Sequence, residues 1–149
     1  MECICQHRSV VKMEEHIELE NYANLLDYKI IAVTESWATS EISDSESLDG
    51  FALFRKDRCD VTPGKGGGVL YVSNELSCAA VDTLNAFKYE STWIEVKDDL
   101  GANVIVGVCY KSPVVEQELK EMFNAISEAR KSRRLIVGDF NYPNINCDN

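Results

Sequence analysis

The feature that most constrains the fold of this chain is a series of short apolar segments rich in β-branched and aromatic residues. Residues of these types favour the extended, half-buried conformation of a β-strand. One of the segments also alternates between apolar and polar residues, as a strand with one wet face does. The segments that predict strands are Ile30–Val33, Phe51–Phe54, Val69–Val72, Thr92–Val96, Val104–Tyr110 and Leu135–Val137.

Two longer segments have the composition and spacing of helices. Ser9–Leu26 contains helix-forming residues, with its apolar side chains roughly on one side. Val114–Lys131 carries one apolar stripe at helical spacing, formed by Val115, Leu119, Met122, Phe123 and Ile126. The polar segment Thr39–Asp49 predicts a surface loop. Strands flanked by helices predict one α/β domain over residues 1–149, with helices on the outside.

Length and composition bound the class of protein. A chain of 149 residues, 45% hydrophobic and 27% charged, fits one soluble globular domain. No apolar run approaches the roughly 20 residues of a membrane span, and the amino-terminal segment has no signal-peptide core. We therefore expect a nuclear or cytoplasmic protein that is not secreted and has no membrane partner. The six cysteines show no paired spacing and are expected to be reduced thiols.

The charge balance limits how this chain can contact nucleic acid. A net charge of −10 argues against a broad basic surface, because neutralising phosphates needs surplus lysine and arginine. Two local basic clusters, Arg55–Arg58 and Arg130–Arg134, interrupt the acidic sequence. The second ends a predicted helix, where cations interact favourably with the helix dipole. If a phosphate ester is the substrate, a metal ion must supply much of the positive charge.

The glycine-rich segment Gly64–Gly68 does not have the pattern of a phosphate-binding P-loop. That loop requires Gly-Lys followed by Ser or Thr and then a helix, whereas this segment leads into the predicted strand Val69–Val72. A flexible hairpin loop is the better interpretation. Its glycines would let the backbone approach a ligand closely.

Polar side chains follow three of the predicted strands. Glu35 follows the first, Tyr110 ends another, and Asp139 with Asn141 follows the last. Open α/β sheets bind ligands at such strand ends. The set suits phosphodiester hydrolysis: a glutamate binds Mg²⁺ and an aspartate deprotonates the attacking water. An amide and a phenol can donate hydrogen bonds to the charged transition state.

Each of these residues also has an ordinary structural interpretation. Glu35 alone fits a solvated acid or a helix cap. Tyr110 alone fits a core aromatic with its hydroxyl at the surface. Asp139 and Asn141 alone fit turn residues that make local hydrogen bonds. Their combination at successive strand ends is what favours a catalytic site.

Three motifs in this order resemble the endonuclease/exonuclease/phosphatase family, which has the deoxyribonuclease I-like fold. They are Thr34-Glu35-Ser36-Trp37, Gly107-Val108-Cys109-Tyr110-Lys111-Ser112-Pro113 and Gly138-Asp139-Phe140-Asn141-Tyr142-Pro143. The resemblance covers nearly the whole chain. It implies an α/β fold, a β-sandwich flanked by helices in four layers, α/β/β/α. It also implies that Glu35 binds Mg²⁺, with Mn²⁺ as the alternative, and that Asp139, Asn141 and Tyr110 are catalytic.

A further similarity points to one branch of that family. Gly66–Val69, together with Phe54–Arg58, is similar to the endonucleases of non-LTR (LINE-type) retrotransposons. This implies a Mg²⁺-dependent DNA endonuclease with DNA as its substrate and, if a full-length element exists, a reverse transcriptase domain as its partner. The residues expected to contact substrate are Arg55, Lys56, Arg58 and Lys111.

The chain departs from the family pattern in two places. Gln6 stands where the family carries a catalytic Asn at the end of its first strand, and it is longer by one methylene. Only Cys3–Cys5 is expected to form that strand. The family's carboxyl-terminal Asp-His segment has no counterpart, so we expect an incomplete domain with impaired activity. The alternatives are a non-catalytic remnant of such a domain, or a hydrolase of the same fold acting on phosphomonoesters or phospholipids.

Overall fold

The structure is a computed structural model, and it describes the chain in ten segments: residues 3–7, 13–34, 48–56, 68–86, 90–98, 100–110, 120–121, 124, 126–127 and 133–139. The strands are β1 Cys3–His7, β2 Ile30–Thr34, β3 Phe51–Lys56, β4 Gly68–Ser73, β5 Cys78–Ala80, β6 Glu90–Lys97, β7 Asn103–Tyr110 and β8 Arg133–Asp139. The helices are α1 Met13–Leu26 and α2 Asp82–Asn85. Residues 120, 121, 124, 126 and 127 are also helical.

The strands form two four-stranded sheets. The first sheet has the order β1-β2-β4-β3 and the second the order β5-β6-β7-β8. The pairs β1–β2 and β7–β8 are parallel, and the other neighbouring strands are antiparallel. Within the described residues, β3 and β5 are edge strands, as are β1 and β8.

Apolar side chains fill the spaces between four layers. The two sheets face each other through a fully buried cluster contributed by β2, β4, β6 and β7: Ile30, Ala32, Leu70, Val72, Ile94, Val96, Val106 and Val108. The outer face of the first sheet packs against α1 through Leu19 and Ala23. The outer face of the second packs against Leu84 of α2 and the helical residue Ile126. The predicted four-layer arrangement, α/β/β/α, is confirmed.

Strand β2 shows why its sequence is an unbroken apolar run. Ile30 and Ala32 belong to the cluster between the sheets, whereas Ile31 and Val33 belong to the cluster under α1. Successive side chains of a strand point to opposite faces, so a strand covered on both faces needs apolar residues at every position. Burial on both faces therefore explains why the segment from which this strand was predicted is apolar at every position.

Most elements predicted from the sequence are present in the structure. All six predicted strands are confirmed, most of them one or two residues longer than expected. The first helix is confirmed over Met13–Leu26, and its predicted start at Ser9 lies outside the described residues. In the predicted second helix, the described residues are helical and Ile126 is buried.

Two expectations about local structure are wrong, and two short elements were not predicted. The first strand is not limited to Cys3–Cys5, because β1 continues to His7 and pairs with β2 along its whole length. Leu48, placed in a surface loop, is only 1% exposed and packs in the cluster under α1. The sequence also gave no indication of the short elements β5 and α2. The remainder of the predicted loop, residues 39–47, lies outside the described residues.

The sandwich has two chemically different ends. At the turn end, residues 27–29, 74–77, 98 and 100–102 connect or flank the strands. At the opposite end, which we call the Tyr110 end, β2, β7 and β8 terminate at Thr34, Tyr110 and Asp139. In the part of the chain that the structure describes, no helix is both long and apolar enough to cross a bilayer.

Candidate active site at the Tyr110 end

Strand register brings the predicted strand ends to the same end of the sandwich. In the first sheet, Thr34 is the cross-strand partner of Gly68. The carbonyl of Gly68 accepts a buried hydrogen bond of 2.7 Å from Oγ1 of Thr92, which lies in the second sheet. Thr92 pairs with Val108 of β7, two residues before Tyr110. The carboxyl ends of β2 and β7 are therefore held together across the interior.

The two catalytic positions on the second sheet are neighbours. Tyr110 and Asp139 end adjacent parallel strands and are cross-strand partners. Tyr110 is half-buried. Its position follows Val106 and Val108 in the alternation of β7, so it lies on the face that packs against the first sheet.

Several predicted site residues lie outside the described part of the chain. Glu35 follows Thr34 directly, but its placement is not described, and the same holds for Asn141, Arg58 and Lys111. For Gln6 and Asp139 the backbone is described and the side chain is not. The backbone of Gln6 lies in β1 opposite Val33, one residue before the end of that strand. The assigned roles of these residues stay predictions.

Gly138 is required by the close approach of β7 and β8. A Cβ atom at this position would lie 1.8 Å from the carbonyl oxygen of Cys109, well inside van der Waals contact. The backbone also has φ +151°, in the region that favours glycine. The Gly-Asp sequence of the third motif therefore has a steric reason: the glycine lets β8 pair with β7 up to Asp139.

Thr34 places an unpaired hydroxyl inside the Tyr110 end. The residue is only 1% exposed, and Oγ1 has no hydrogen-bond partner among the described residues. Thr34 follows Ile30 and Ala32 in the alternation of β2, so it faces the second sheet. Buried hydroxyls are nearly always hydrogen-bonded, and one without a partner is destabilising. This hydroxyl is thus available to a group bound between the ends of the two sheets.

Trp93 is the largest side chain of the second sheet's outer layer, and a glycine makes room for it. A Cβ at its cross-strand partner Gly107 would lie 2.2 Å from the indole ring. The indole Nε1 donates a 2.8 Å hydrogen bond to Oγ of Ser91. Gly107 therefore has a packing role, which the sequence motif containing it did not reveal.

The side chain of Asn85 hydrogen-bonds to the edge of β6 just beyond the end of β5. Its Oδ1 accepts a 2.8 Å hydrogen bond from the backbone N–H of Trp93, and its Nδ2 donates a 3.0 Å bond to the carbonyl of the same residue. The side-chain amide thus pairs as a neighbouring strand would. Asn85 could not be identified from the sequence, since a single polar residue in a four-residue helix has no distinctive pattern.

Of the predicted substrate contacts, Arg55 and Lys56 are described. Both are half-buried in β3 and line a cleft of about 420 Å³ between β3 and the second sheet. The ammonium of Lys56 donates a 2.6 Å hydrogen bond to the carbonyl of Asn85 and so bridges the mouth of this cleft. Lys56 is also a cross-strand partner of Gly68. The cleft therefore opens beside the Tyr110 end.

Cys109 adjoins the site but has the properties of a structural residue. It is 1% exposed, and burial raises the pKa of its thiol to about 12. At neutral pH the group is therefore protonated and is a poor nucleophile. Cysteine chemistry does not explain the site, which leaves the oxygen-bearing residues as its reactive groups.

The residue types predicted at the Tyr110 end suit a hard divalent cation. Carboxylates are ligands that Mg²⁺ and Mn²⁺ prefer, and at this end Glu35 follows Thr34 along the chain and Asp139 ends β8. Within the ten described segments, no cluster of three His, Cys, Asp or Glu residues offers a competing metal site. Glu35 remains the predicted ligand.

Solved structures with the same fold are found at low sequence identity. The endonuclease domain of TRAS1, a telomere-specific non-LTR retrotransposon, matches with a TM-score of 0.64 and 12% identity, covering 91% of this chain and 57% of that one. A mannosyl-6-phosphatase of Bacteroides thetaiotaomicron, Bt3783, matches with 0.60 and 11%, covering 92% and 63%. TDP2 of D. rerio, complexed with single-strand DNA product, matches with 0.55 and 11%, covering 87% and 54%.

These matches define the fold and the extent of the chain. The chain spans less than two thirds of the length of each of the three structures. No family model matches the sequence, and no curated protein matches it significantly. Two endonuclease/exonuclease/phosphatase proteins, from Bacteroides vulgatus and Bacteroides thetaiotaomicron, match over 94% and 96% of the chain, each with a TM-score of 0.62. The chain therefore has the deoxyribonuclease I-like fold of the endonuclease/exonuclease/phosphatase proteins.

Proposed function

We propose that this chain is a metal-dependent phosphodiesterase domain that nicks DNA. The observation that carries the proposal is the convergence of β2, β7 and β8 at the Tyr110 end, with Tyr110 and Asp139 as cross-strand partners. The retrotransposon endonuclease domain with the same fold supports DNA as the substrate. A reverse transcriptase domain stays the proposed partner if a full-length element exists.

The chemistry is divided between the two sheets. Glu35, which follows β2 of the first sheet, would hold Mg²⁺, with Mn²⁺ as the alternative. The bound metal would supply positive charge beside the scissile phosphate, which the acidic chain otherwise lacks.

The second sheet would supply the proton acceptor and the hydrogen-bond donors. Asp139 would accept a proton from the attacking water. Asn141 and the phenol of Tyr110 would donate hydrogen bonds to the phosphoryl oxygens as negative charge develops. Arg55, Lys56, Arg58 and Lys111 would contact neighbouring phosphates. Gln6 would lie beside this group at the end of β1, and we assign it no catalytic step.

Nicking of supercoiled plasmid tests the proposal. In line with the impaired activity expected from the sequence, the chain with Mg²⁺ should convert supercoiled into open-circular DNA slowly, and EDTA should stop the reaction. Asp139→Asn keeps the size of the side chain but removes the base, so the rate should fall by about 100-fold or more. Asp49→Asn is the matched control, because Asp49 is exposed in a turn at the far end of the sandwich. It should leave nicking unchanged.

Other outcomes favour the alternative functions. A soluble, folded chain that does not nick DNA with either Mg²⁺ or Mn²⁺ would support a non-catalytic domain of this fold. Hydrolysis of p-nitrophenyl phosphate without plasmid nicking would support a phosphomonoesterase. Nicking that Asp139→Asn leaves intact would place the reaction outside the Tyr110 end and would reject the proposed site.

A further inference from the structure

Thr34 has a property that no other described residue shares: a buried side-chain polar atom without a hydrogen-bond partner. The residue is only 1% exposed, so water does not reach its hydroxyl from outside. A hydroxyl shut off from both water and protein partners destabilises the state that contains it. Such groups in native structures are explained by stored strain, by a catalytic role or by a bound water.

The strand pattern places the Thr34 hydroxyl between the two sheets. Thr34 follows Ala32 in the alternation of β2, and Ala32 belongs to the cluster between the sheets. Thr34 is also the last residue of β2 and pairs with Gly68, whose carbonyl is bonded to Thr92 of the second sheet. The hydroxyl therefore lies at the level where the two sheets are joined.

Two other described polar side chains at this level are bonded elsewhere. Oγ1 of Thr92 donates its hydrogen to the carbonyl of Gly68, and Nζ of Lys56 donates to the carbonyl of Asn85. Lys56 also lies two strands from Thr34 in the first sheet, a separation of about 10 Å. Both bonds join the sheets in the free protein, and neither involves the Thr34 hydroxyl.

Tyr110 faces the first sheet from the end of β7. It is half-buried and follows Val106 and Val108 in the alternation of that strand, so it lies on the inner face of the second sheet. Strands β2 and β7 contact each other across the interior, and both terminate at this end of the sandwich. Facing sheets pack about 10 Å apart with interdigitating side chains, a gap that suits a tyrosine directed toward the opposite strand.

A phenol can donate one hydrogen bond and accept another at the same time. The proposed function assigns the phenol hydrogen of Tyr110 to a phosphoryl oxygen of the substrate. A hydrogen bond accepted by the phenol oxygen would strengthen the one that the phenol donates, because linked hydrogen bonds polarise one another. The hydroxyl of Thr34 carries the donor hydrogen that this arrangement needs.

From these observations we infer that Thr34 is a positioning residue for the proposed reaction. Its hydroxyl donates a hydrogen bond to the phenol oxygen of Tyr110 while that phenol donates to the phosphoryl oxygen. The bond is absent from the free protein, where the hydroxyl has no partner among the described residues, and it forms as charge develops on the phosphate. The inference rests on the proposed function and adds a residue of the first sheet that acts through the second.

The hydroxyl of Thr34 should have opposite effects on stability and on rate. In the free protein it is buried without a partner and lowers stability, whereas in the reacting complex it gains a hydrogen bond. Its removal should therefore make the protein more stable and the reaction slower, as expected where activity depends on a destabilised site. A residue that only supports the fold behaves differently, because its removal lowers stability.

Plasmid nicking by Thr34→Val, in which a methyl group replaces the hydroxyl, tests the inference. With Mg²⁺, kcat should fall about tenfold and KM should stay within about twofold of wild type, because the lost bond belongs to the transition state. The urea denaturation midpoint of the same variant should rise. Thr34→Ser keeps the hydroxyl, so its kcat should stay within about threefold of wild type. Thr83→Val makes the matched change at an exposed position of α2 and should leave nicking unchanged.

The variant Tyr110→Phe shows whether the hydroxyl acts through the phenol. In the Tyr110→Phe background, Thr34→Val should slow nicking by less than about twofold, because the two substitutions remove the same hydrogen bond. A tenfold loss in the wild-type background and almost none in this one is a coupling that two independent residues do not show.

Several results would overturn the inference. They are an unchanged kcat in Thr34→Val, an equal loss in Thr34→Ser, and an undiminished effect of Thr34→Val in the Tyr110→Phe background. A denaturation midpoint of Thr34→Val equal to or below that of wild type would also overturn it, since the hydroxyl would then be bonded to water or protein in the free state. Any of these results in a chain that nicks DNA would reject this inference alone. Absence of nicking by the wild-type chain would reject the proposed function and the inference with it.

Discussion

At the turn end of the sandwich, polar groups are paired within the protein, whereas at the Tyr110 end a buried hydroxyl is left for another partner. Lys29 at the turn end forms ion pairs with Asp27 and Glu75, at 2.8 and 2.6 Å. Asp98 accepts two backbone hydrogen bonds and an ion pair. At the Tyr110 end, Thr34 Oγ1 lacks a partner among the described residues. Among the described residues, the turn end thus pairs its charged groups locally, and the Tyr110 end leaves one buried hydroxyl without a partner.

The difference follows from what each end connects. The turn end contains short links whose polar groups must be satisfied locally, for instance by the bonds from Ser73 N to Lys29 O and from Asn74 N to Gly50 O. The Tyr110 end collects the carboxyl ends of parallel strands, where ligands bind in α/β folds. Unpaired polar groups are tolerated at functional sites and compensated elsewhere.

The largest expected effect is a difference in stability between the alanine variants of two glycines, one at each end of the sandwich. Gly138→Ala should lower the free energy of unfolding by about 3 kcal/mol or more, since its Cβ would overlap the carbonyl of Cys109. Gly101→Ala should lower it by about 1 kcal/mol, because its Cβ meets no atom within 4 Å and only the φ of +76° is unfavourable. Urea denaturation midpoints measure both. Equal midpoints for the two variants would contradict the close approach of β7 and β8.

The next largest effect on stability is expected from removing paired polar groups at the turn end. Asp98→Ala should lower the free energy of unfolding by about 1–2 kcal/mol, because Oδ1 accepts hydrogen bonds from the backbone N–H groups of Leu100 and Ala102. Arg133→Ala removes only the partner of Oδ2, and its side chain is 64% exposed. It should lower stability by less than about 0.5 kcal/mol. Thermal denaturation of the two variants under identical conditions is the measurement, and a larger loss in Arg133→Ala would reverse the assignment.

Two buried threonines sharpen the comparison at the Tyr110 end. Thr92→Val should lower the free energy of unfolding by about 1 kcal/mol, since it removes the hydrogen bond to Gly68. Thr34→Val should raise it by about 1 kcal/mol, because it removes a buried hydroxyl that has no partner among the described residues. Urea denaturation without metal measures both. A large loss in Thr34→Val would show that the hydroxyl is already paired in the free protein.

The smallest expected effect is a change in the pKa of Lys29 at the turn end. Hydrogen bonds first to Asp27 and then to Glu75 raise the pKa of Lys29 from 10.5 to about 12. The contribution of the ion pairs is therefore fully present below pH 10.5 and is lost as pH rises through 12. NMR titration of the lysine side chain should show a larger fall in pKa for Asp27→Asn than for Glu75→Gln. The reverse order would contradict the ranking of the two partners.

The sequence predicted the parts of the fold that depend on patterning. Unbroken apolar segments such as Ile30–Val33 are recognisable because both faces of the strand are covered. The short elements β5 and α2 were missed, since three and four residues are too few for a period to show. They form because the exposed edge of β6 needs partners, which Ala80 and the Asn85 amide supply. Leu48 was misplaced because its polar neighbours concealed one buried residue.

The candidate site was predictable in its residue types but not in its geometry. The motif glycines Gly107 and Gly138 could be recognised by resemblance, whereas their reasons, the Trp93 ring and the Cys109 carbonyl, are contacts between distant segments. The unpaired hydroxyl of Thr34 and the cleft bridged by Lys56 also depend on how two sheets face each other. No local pattern encodes such distances, and the roles of Glu35, Asn141 and Asp139 stay predictions.

The buried bond between Thr92 and Gly68 gives the sandwich a mechanical property. It links the two sheets where their strands end, while the proposed metal ligand follows one sheet and the proposed base belongs to the other. A sliding of one sheet over the other by about 1 Å would misalign the two groups, and misplacements of that size can slow an enzyme about 100-fold. The bond opposes such sliding, so the alignment of the reacting groups depends on the stiffness of the interior as much as on the groups themselves.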